Sequence, residues 1–322
     1  MENQTMRAAV LVAPRRFAFQ NVPIPEPDPQ EVRVRIEGCG VCGSNLPPYE
    51  GRSWFQYPRP SGEPGHEGWG EIDAVGGNVK AFTRGERVAL LSYRGFAEFD
   101  LADERCVVKL PPSLEKKPFP GEALGCAVNV YRRCDIRAGQ TVAIVGLGFL
   151  GALLTSLTAR AGARVIAITR RPFALELAGQ MGAKHLIAMD DHASVIAQVK
   201  ALTNDSGCDR VIEAAGAQWP LDLAAELTRE RGKLIIAGYH QDGPRQVNLQ
   251  LWNWRGLDVV NAHERDPQIY RDGMREAVEA VVSGRLNPWP LYTHTFPLEK
   301  INSAFEALAQ RPDGFMKALI KT

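Results

Sequence analysis

The stretch TVAIVGLGFLGALL, residues 141–154, decides how this chain folds. Its first five residues are apolar or β-branched, the composition of a short buried strand. Glycines follow at Gly146, Gly148 and Gly151, and a run with helical spacing begins at Phe149. Between a strand and a helix, that Gly-x-Gly-x-x-Gly spacing has a physical purpose. The first glycine permits a tight turn, the second lets the backbone approach a pyrophosphate, and the third lets helix and strand pack closely. The helix start at Phe149 and Leu150 adds unpaired N–H groups and a positive dipole end. The stretch therefore reads as a dinucleotide-binding turn.

Working downstream, the spacing predicts a strand over 164–168, a helix over 173–181, a strand over 185–187 and a helix over 193–202. A strand over 209–213, a helix over 221–229 and strands over 233–237 and 257–261 follow. Strands that alternate with helices make a doubly wound parallel sheet. The end of the second strand selects the cofactor. An Asp or Glu there accepts hydrogen bonds from the ribose hydroxyls of NAD. This chain has Thr169, Arg170 and Arg171 instead. A hydroxyl with two guanidinium groups suits a 2′-phosphate, which favours NADP(H) over NAD(H).

Upstream, the pattern changes. Residues 8–12, 17–21, 31–37, 70–75 and 87–91 read as short strands, and the proline run at 23–29 excludes a helix. The fold class is α/β, a β-rich domain joined to a doubly wound one, and 322 residues are ample for both. Lys plus Arg number 38 against 37 Asp plus Glu, a balance that asks for neither nucleic acid nor an anionic membrane as partner. No apolar run is long enough to span a bilayer and no leader precedes the first strand, so the expectation is a cytoplasmic protein with reduced thiols.

The segment GCGVCGSNLPPYEG, residues 38–51, holds Cys39 and Cys42, and GHEG follows at 65–68. Cys, His and Glu are all competent zinc ligands when brought together. The motifs Gly40-Val41-Cys42-Gly43-Ser44, Gly65-His66-Glu67-Gly68 and Arg84-Gly85-Glu86-Arg87-Val88, with the glycine fingerprint and the closing TFPLEKINSAFE, resemble the zinc-type medium-chain dehydrogenase/reductase superfamily of alcohol, polyol and threonine dehydrogenases. The likeness runs in order along nearly the whole chain.

The resemblance implies a GroES-like catalytic domain (1–128), a Rossmann domain (129–265) and a C-terminal return to the first domain (266–322). It makes Cys42 and His66 metal ligands, Glu67 a ligand or an exchanging one, and Glu122 the remaining ligand, with Cys126 its rival. Cys39 is then a packed thiol. Ser44 accepts the substrate proton, and Ala214, Ala215, Gly238 and Tyr239 line the nicotinamide by their backbone. The implied activity is zinc-dependent hydride transfer between a nicotinamide cofactor and a small-molecule alcohol or carbonyl, in a homodimer or homotetramer. One catalytic zinc is implied, and no structural zinc, because the usual four-cysteine lobe is missing. Asn45 replaces the usual Asp that orients the ligand histidine, and Pro47 replaces a proton-relay histidine, leaving Ser44 with a cofactor hydroxyl, or Tyr49, as the proton route. The aromatic segments 52–57 and 251–255 and the stretch around His263 read equally as substrate walls or as packing. The competing readings are a zinc-free quinone or enoyl reductase of the same fold and a non-catalytic NADP(H)-binding protein.

Overall fold

The computed structural model describes residues 5–240 and 242–322, which form two units. The first runs through Gly125, resumes at Arg265–Gly284 and closes with Trp289–Thr322; the second comprises Cys126–Glu264 and Arg285–Pro288.

In the first unit, β1 (Thr5–Ala13) and β2 (Arg16–Pro23) make an antiparallel hairpin. β3 (Glu31–Val41) points Val32, Val34 and Ile36 into the core while Arg35 and Glu37 face water, the period-two pattern of a half-wet sheet. At Gly38 the alternation stops, and every residue through Val41 is buried. There follow α1 (Leu46–Glu50), β4 (Glu67–Val75), β5 (Arg87–Leu90), β6 (Phe99–Asp103), β7 (Val107–Lys109) and α2 (Gly121–Cys134).

The second unit contains β8 (Thr141–Val145), α3 (Phe149–Arg160), β9 (Arg164–Thr169), α4 (Pro172–Gln180), β10 (His185–Ala188), α5 (His192–Leu202), β11 (Cys208–Glu213), α6 (Gln218–Leu227), β12 (Thr228–Ile236), α7 (Leu249–Arg255) and β13 (Asp258–Asn261). Its sheet is wholly parallel in the order β10-β9-β8-β11-β12-β13. The chain reverses direction of travel between β8 and β11, so the loops after those two strands flank the crevice where such sheets bind ligands. No helix among the described residues is long and apolar enough to cross a membrane.

The remaining elements, α8 (Pro267–Val282), β14 (His294–Pro297), α9 (Ile301–Gln310) and β15 (Ala318–Lys321), belong to the first unit. β15 lies antiparallel to β3, with Ala318 opposite Val41, while β4 lies on the other side of β3, with Glu67 opposite Gly40. The last strand of the chain thus brings Lys317 to the start of β4.

Two helices differ from the sequence reading. α2 was not expected as a defined element, because Gly121 and Gly125 lower helix propensity. The glycines are there for packing: a Cβ on Gly125 would stand 2.7 Å from the backbone nitrogen of Met274, so α8 crosses α2 at backbone contact. α7 occupies part of the aromatic segment 251–255; its Trp252 packs against the core of the second unit while Trp254 is 85% exposed. Tyr49, a candidate for the proton route, is buried among Phe17, Phe96 and Phe305, with its ring 4.9 Å from that of Phe305. It is a core residue, and that route is corrected accordingly.

Candidate functional site

Cys42 ends the segment beyond β3 and opens a single 3-10 turn, Gly43–Asn45. The Asn45 side chain closes this turn, its Oδ1 accepting a hydrogen bond from the Cys42 backbone N–H at 2.9 Å. Asn45 Nδ2 donates to the Pro64 carbonyl at 3.0 Å, which ties the Cys42 turn to the loop carrying His66. His66 Nδ1 lies 3.0 Å from the same carbonyl and 3.3 Å from Asn45 Nδ2. A carbonyl only accepts, so Nδ1 donates to it, and Nε2 is the ring nitrogen that offers a lone pair once a metal displaces its proton. Ser44 Oγ is 3.5 Å from that Nε2.

One donor atom from each of Cys42, His66 and Glu67 lies within 4.8 Å of the others. Atoms that share a zinc ion at about 2.0–2.3 Å stand roughly 3.3–3.8 Å apart, so small side-chain movements suffice. Glu122, in the first turn of α2, is buried and faces the charges of His66 and Glu67. Burial, with the Glu67 charge behind it, pushes the Glu122 carboxyl above the usual range, against the pull of His66, Tyr270 and Lys317. Burial opposes a charge on His66, yet the hydrogen bond and charge of Cys42, with Glu122 and Glu67, hold its imidazole up at about 10. The cluster's mixed sulfur, nitrogen and oxygen donor set fits Zn²⁺.

The sequence reading missed Lys317. Its ammonium is buried and donates to Glu67 Oε1 at 2.6 Å, and stands 2.5 Å from Oε2. Although burial disfavours its charge, the ammonium is held above its ordinary pKa by Glu67, Cys42 and Glu122. The backbone makes room for this pair: a Cβ on Gly40 would stand 1.8 Å from Glu67 Oε2. The signal was a charge inside the apolar run FMKALI, but its partner is 250 residues away.

Tyr93 was also missed; its ring is 67% exposed and centred 6.3 Å from the His66 ring. Its loop is fixed by Asp100, which accepts from the Arg94 and Leu101 backbone N–H groups at 3.0 and 2.8 Å. Cys39 is buried and unbonded to another cysteine, its thiol pushed well up by burial. In the segment 52–57, Tyr57 donates through its hydroxyl to the Pro48 carbonyl, and Trp54 is 56% exposed with its ring 6.0 Å from Phe55.

In the second unit, the glycine turn behaves as its spacing predicts. Gly146 has φ +101°, and a Cβ there would meet Ala215 N at 2.7 Å, so the turns after β8 and β11 touch. Gly151 lies against the Gly146 carbonyl, 2.1 Å from where a Cβ would stand, whereas a Cβ on Gly148 would meet nothing within 4 Å. That open space beside Phe149 and Leu150, at the start of α3, is what a pyrophosphate needs. Thr169 ends β9 buried, Arg170 is exposed, and Arg171 donates to the Leu147 carbonyl of the glycine turn at 3.2 Å.

Glu213, fully buried at the end of β11, is a further residue whose part the sequence reading missed. Its Oε1 accepts from the Ala215 and Gly216 N–H groups at 2.7 Å each, and its Oε2 from His240 Nε2 at 2.9 Å. Arg245 Nε donates to His240 Nδ1 at 2.9 Å, and its terminal nitrogen to the Gly216 carbonyl at 3.0 Å. This network locks the turn of Ala214 and Ala215 to the turn of Gly238 and Tyr239. His263 stacks obliquely on Tyr239, ring centres 6.4 Å apart.

Comparison with known proteins adds a second line of support. Residues 28–112 match the alcohol dehydrogenase GroES-like domain, and residues 150–280 match the zinc-binding dehydrogenase family. A sorbitol dehydrogenase of Bacillus subtilis is 26% identical, over 98% of this chain and 97% of its own length. An L-threonine 3-dehydrogenase of Bacillus licheniformis is 26% identical over 90% of this chain and 92% of its own. Among solved structures, a putative zinc-binding dehydrogenase of Sinorhizobium meliloti bound to NADP is 25% identical and superimposes with a TM-score of 0.84, over 99% of this chain and all of the other.

Proposed function

The chain belongs to the zinc-type medium-chain dehydrogenase/reductase superfamily and is an NAD(P)-dependent alcohol oxidoreductase, and we propose that it works as a zinc enzyme, preferring NADP(H), on a secondary alcohol, polyol or sugar-derived substrate. The observation that carries the zinc is the convergence of Cys42, His66 and Glu67 within 4.8 Å, with Glu122 buried beside them. Those four residues would hold a single catalytic zinc, which when bound would supply Lewis acidity toward the substrate oxygen. Thr169, Arg170 and Arg171 support a 2′-phosphate, and Gly146, Gly148 and Gly151 with Phe149 and Leu150 the pyrophosphate.

The chain's own residues do the rest. The Pro64 carbonyl fixes the His66 ring so that Nε2 faces the cage. Ser44 Oγ, 3.5 Å from that nitrogen, relays the proton that leaves the substrate hydroxyl, receiving it as its own proton passes on to a cofactor hydroxyl. Lys317 neutralises part of the negative charge and holds Glu67 in place. The Glu213–His240–Arg245 network fixes the backbone turns of Ala214, Ala215, Gly238 and Tyr239 against which the nicotinamide lies. Pairing of the outermost strand β13 across a two-fold axis makes a homodimer, the state in which a cytoplasmic enzyme would hide that edge.

The test is metal content by plasma emission on protein purified without chelator, beside Cys42→Ser and Glu122→Gln, with polyols screened against both cofactors. About one zinc per chain, absent in Cys42→Ser, with turnover faster on NADP, is the expected result. A wild-type protein that neither holds nor takes up zinc overturns the proposal.

A further inference from the structure

A second concave site lies in the first unit, away from the residues assigned above. It is a cavity of about 370 Å³ lined by Lys80, Ala81, Phe82, Glu104, Arg105, Val107, Arg271 and Arg275. Four cations and one acid face it. Arg271 and Arg275 stand one turn apart on α8, so both guanidinium groups reach the same face. The neighbouring acids account for only part of this charge. Asp103 takes Arg105 through both oxygens, at 2.9 and 2.7 Å, and Asp272 lies 3.5 Å from Arg275. Glu104 accepts from the Lys80 backbone N–H at 3.4 Å, and the Cys106 thiol also lies near Arg271.

Arg271 is the decisive residue. Its terminal nitrogen donates at 2.7 Å to Gln268 Oε1, a neutral acceptor, and its Nε is buried without any hydrogen-bond partner among the described residues. A buried N–H without an acceptor is costly, so a ligand that supplies one is favoured. Phe82, Ala81 and Val107 give the cavity an apolar wall. We infer that this cavity binds a phosphate group, free or as a small phosphomonoester: a compact dianion with several acceptor oxygens matches guanidinium forks set around one hollow. The volume exceeds that of a bare phosphate and leaves space for the ester's organic part along the apolar wall. Nothing in this reading depends on the zinc or on the cofactor.

The test is isothermal titration of the whole protein with orthophosphate, glycerol phosphate and, as control, glycerol. The variants are Arg271→Gln and, on a more exposed side chain, Arg275→Gln, with Arg35→Gln as a control remote from the cavity. Phosphate or its ester binds the wild type and Arg35→Gln alike, glycerol does not, and Arg271→Gln weakens binding by at least about tenfold. Arg275→Gln weakens it less, and supplies the answer if Arg271→Gln fails to fold. A tighter ester than orthophosphate assigns the cavity to esters, equal affinity to the free ion; both bear the inference out. Absence of saturable binding up to roughly 20 mM, or binding unchanged in both arginine variants, overturns it.

Discussion

Replacing Lys317 by Met removes a charge while keeping an unbranched stem of similar length. Lys317 and Glu67 are both buried, with side-chain exposures of 4% and 1%, and their contact distances are 2.5–2.6 Å. Removing one partner of such a pair costs about 3–5 kcal/mol, because the other charge stays behind without water. Here the residual charge is not alone. His66, held up at about 10 in the metal-free protein, is cationic at neutral pH and still faces Glu67. The expected loss is therefore at the low end, about 3 kcal/mol. Glu67→Gln in the same background removes the orphaned charge, so the double variant recovers much of that loss. The assay is urea unfolding of chelator-treated protein, run as a double-mutant cycle and fitted over the transition that Lys317→Met displaces. Added zinc, which can take the place of the missing ammonium, raises the midpoint of Lys317→Met more than that of the wild type. A Lys317→Met protein within about 0.5 kcal/mol of wild type, or additive single effects, would refute the argument that this pair holds the cage together.

Two further outcomes follow from the same structure. Gly148→Ala should leave thermal stability within about 0.5 kcal/mol, since its φ of −86° suits any residue and its Cβ would meet nothing, yet weaken NADPH binding at least about tenfold by filling the pyrophosphate space; Gly151→Ala, driven into the Gly146 carbonyl, should lose about 1–3 kcal/mol of stability as well. Burial raises Asp100 to about 6, so the folded protein holds a proton there that the unfolded chain releases, and stability contributed by this group falls as pH rises from about 4 to about 6; comparison with Asp100→Asn by urea unfolding should show the wild type losing up to about 3 kcal/mol relative to the variant across that window.

What the sequence made legible was what short-range chemistry controls. The strand–turn–helix at 141–154 carries its own periodicity and its own glycines, and β8 and α3 begin where that pattern begins. Elements that exist for the sake of a distant partner were hidden. α2 carries Gly125 because α8 crosses it there, and nothing near residue 121 announces α8. β12 starts at Thr228, five residues before the apolar run, because its pairing with β11 shifts register between Cys208 and Arg210. Cys42, His66 and Glu67 were found as a spaced motif, but Lys317 enters the cage only because β15 closes on β3. Tyr49 misled because its hydroxyl suggested chemistry, whereas its ring fills the core between Phe17 and Phe305.

The replacement of the usual aspartate by Asn45 has a structural counterpart that bears on how tightly the cage grips a metal. In this chain the His66 Nδ1–H is received by the Pro64 carbonyl at 3.0 Å, and Asn45 Nδ2 donates to that same oxygen. A carbonyl shared between two donors polarises the imidazole less than a carboxylate would, so Nε2 is a weaker base and a weaker ligand. Asn45 cannot make good the loss, because its own oxygen is committed to the Cys42 N–H. The cage answers with charge of its own: Glu67 and Glu122 are both buried beside His66. Buried side by side, the two carboxylates repel one another, and the buried ammonium of Lys317 offsets that repulsion. Asn45 and Lys317, far apart in the chain, therefore act on the same quantity: the first lowers the basicity of the nitrogen ligand, the second offsets the surplus of carboxylate charge.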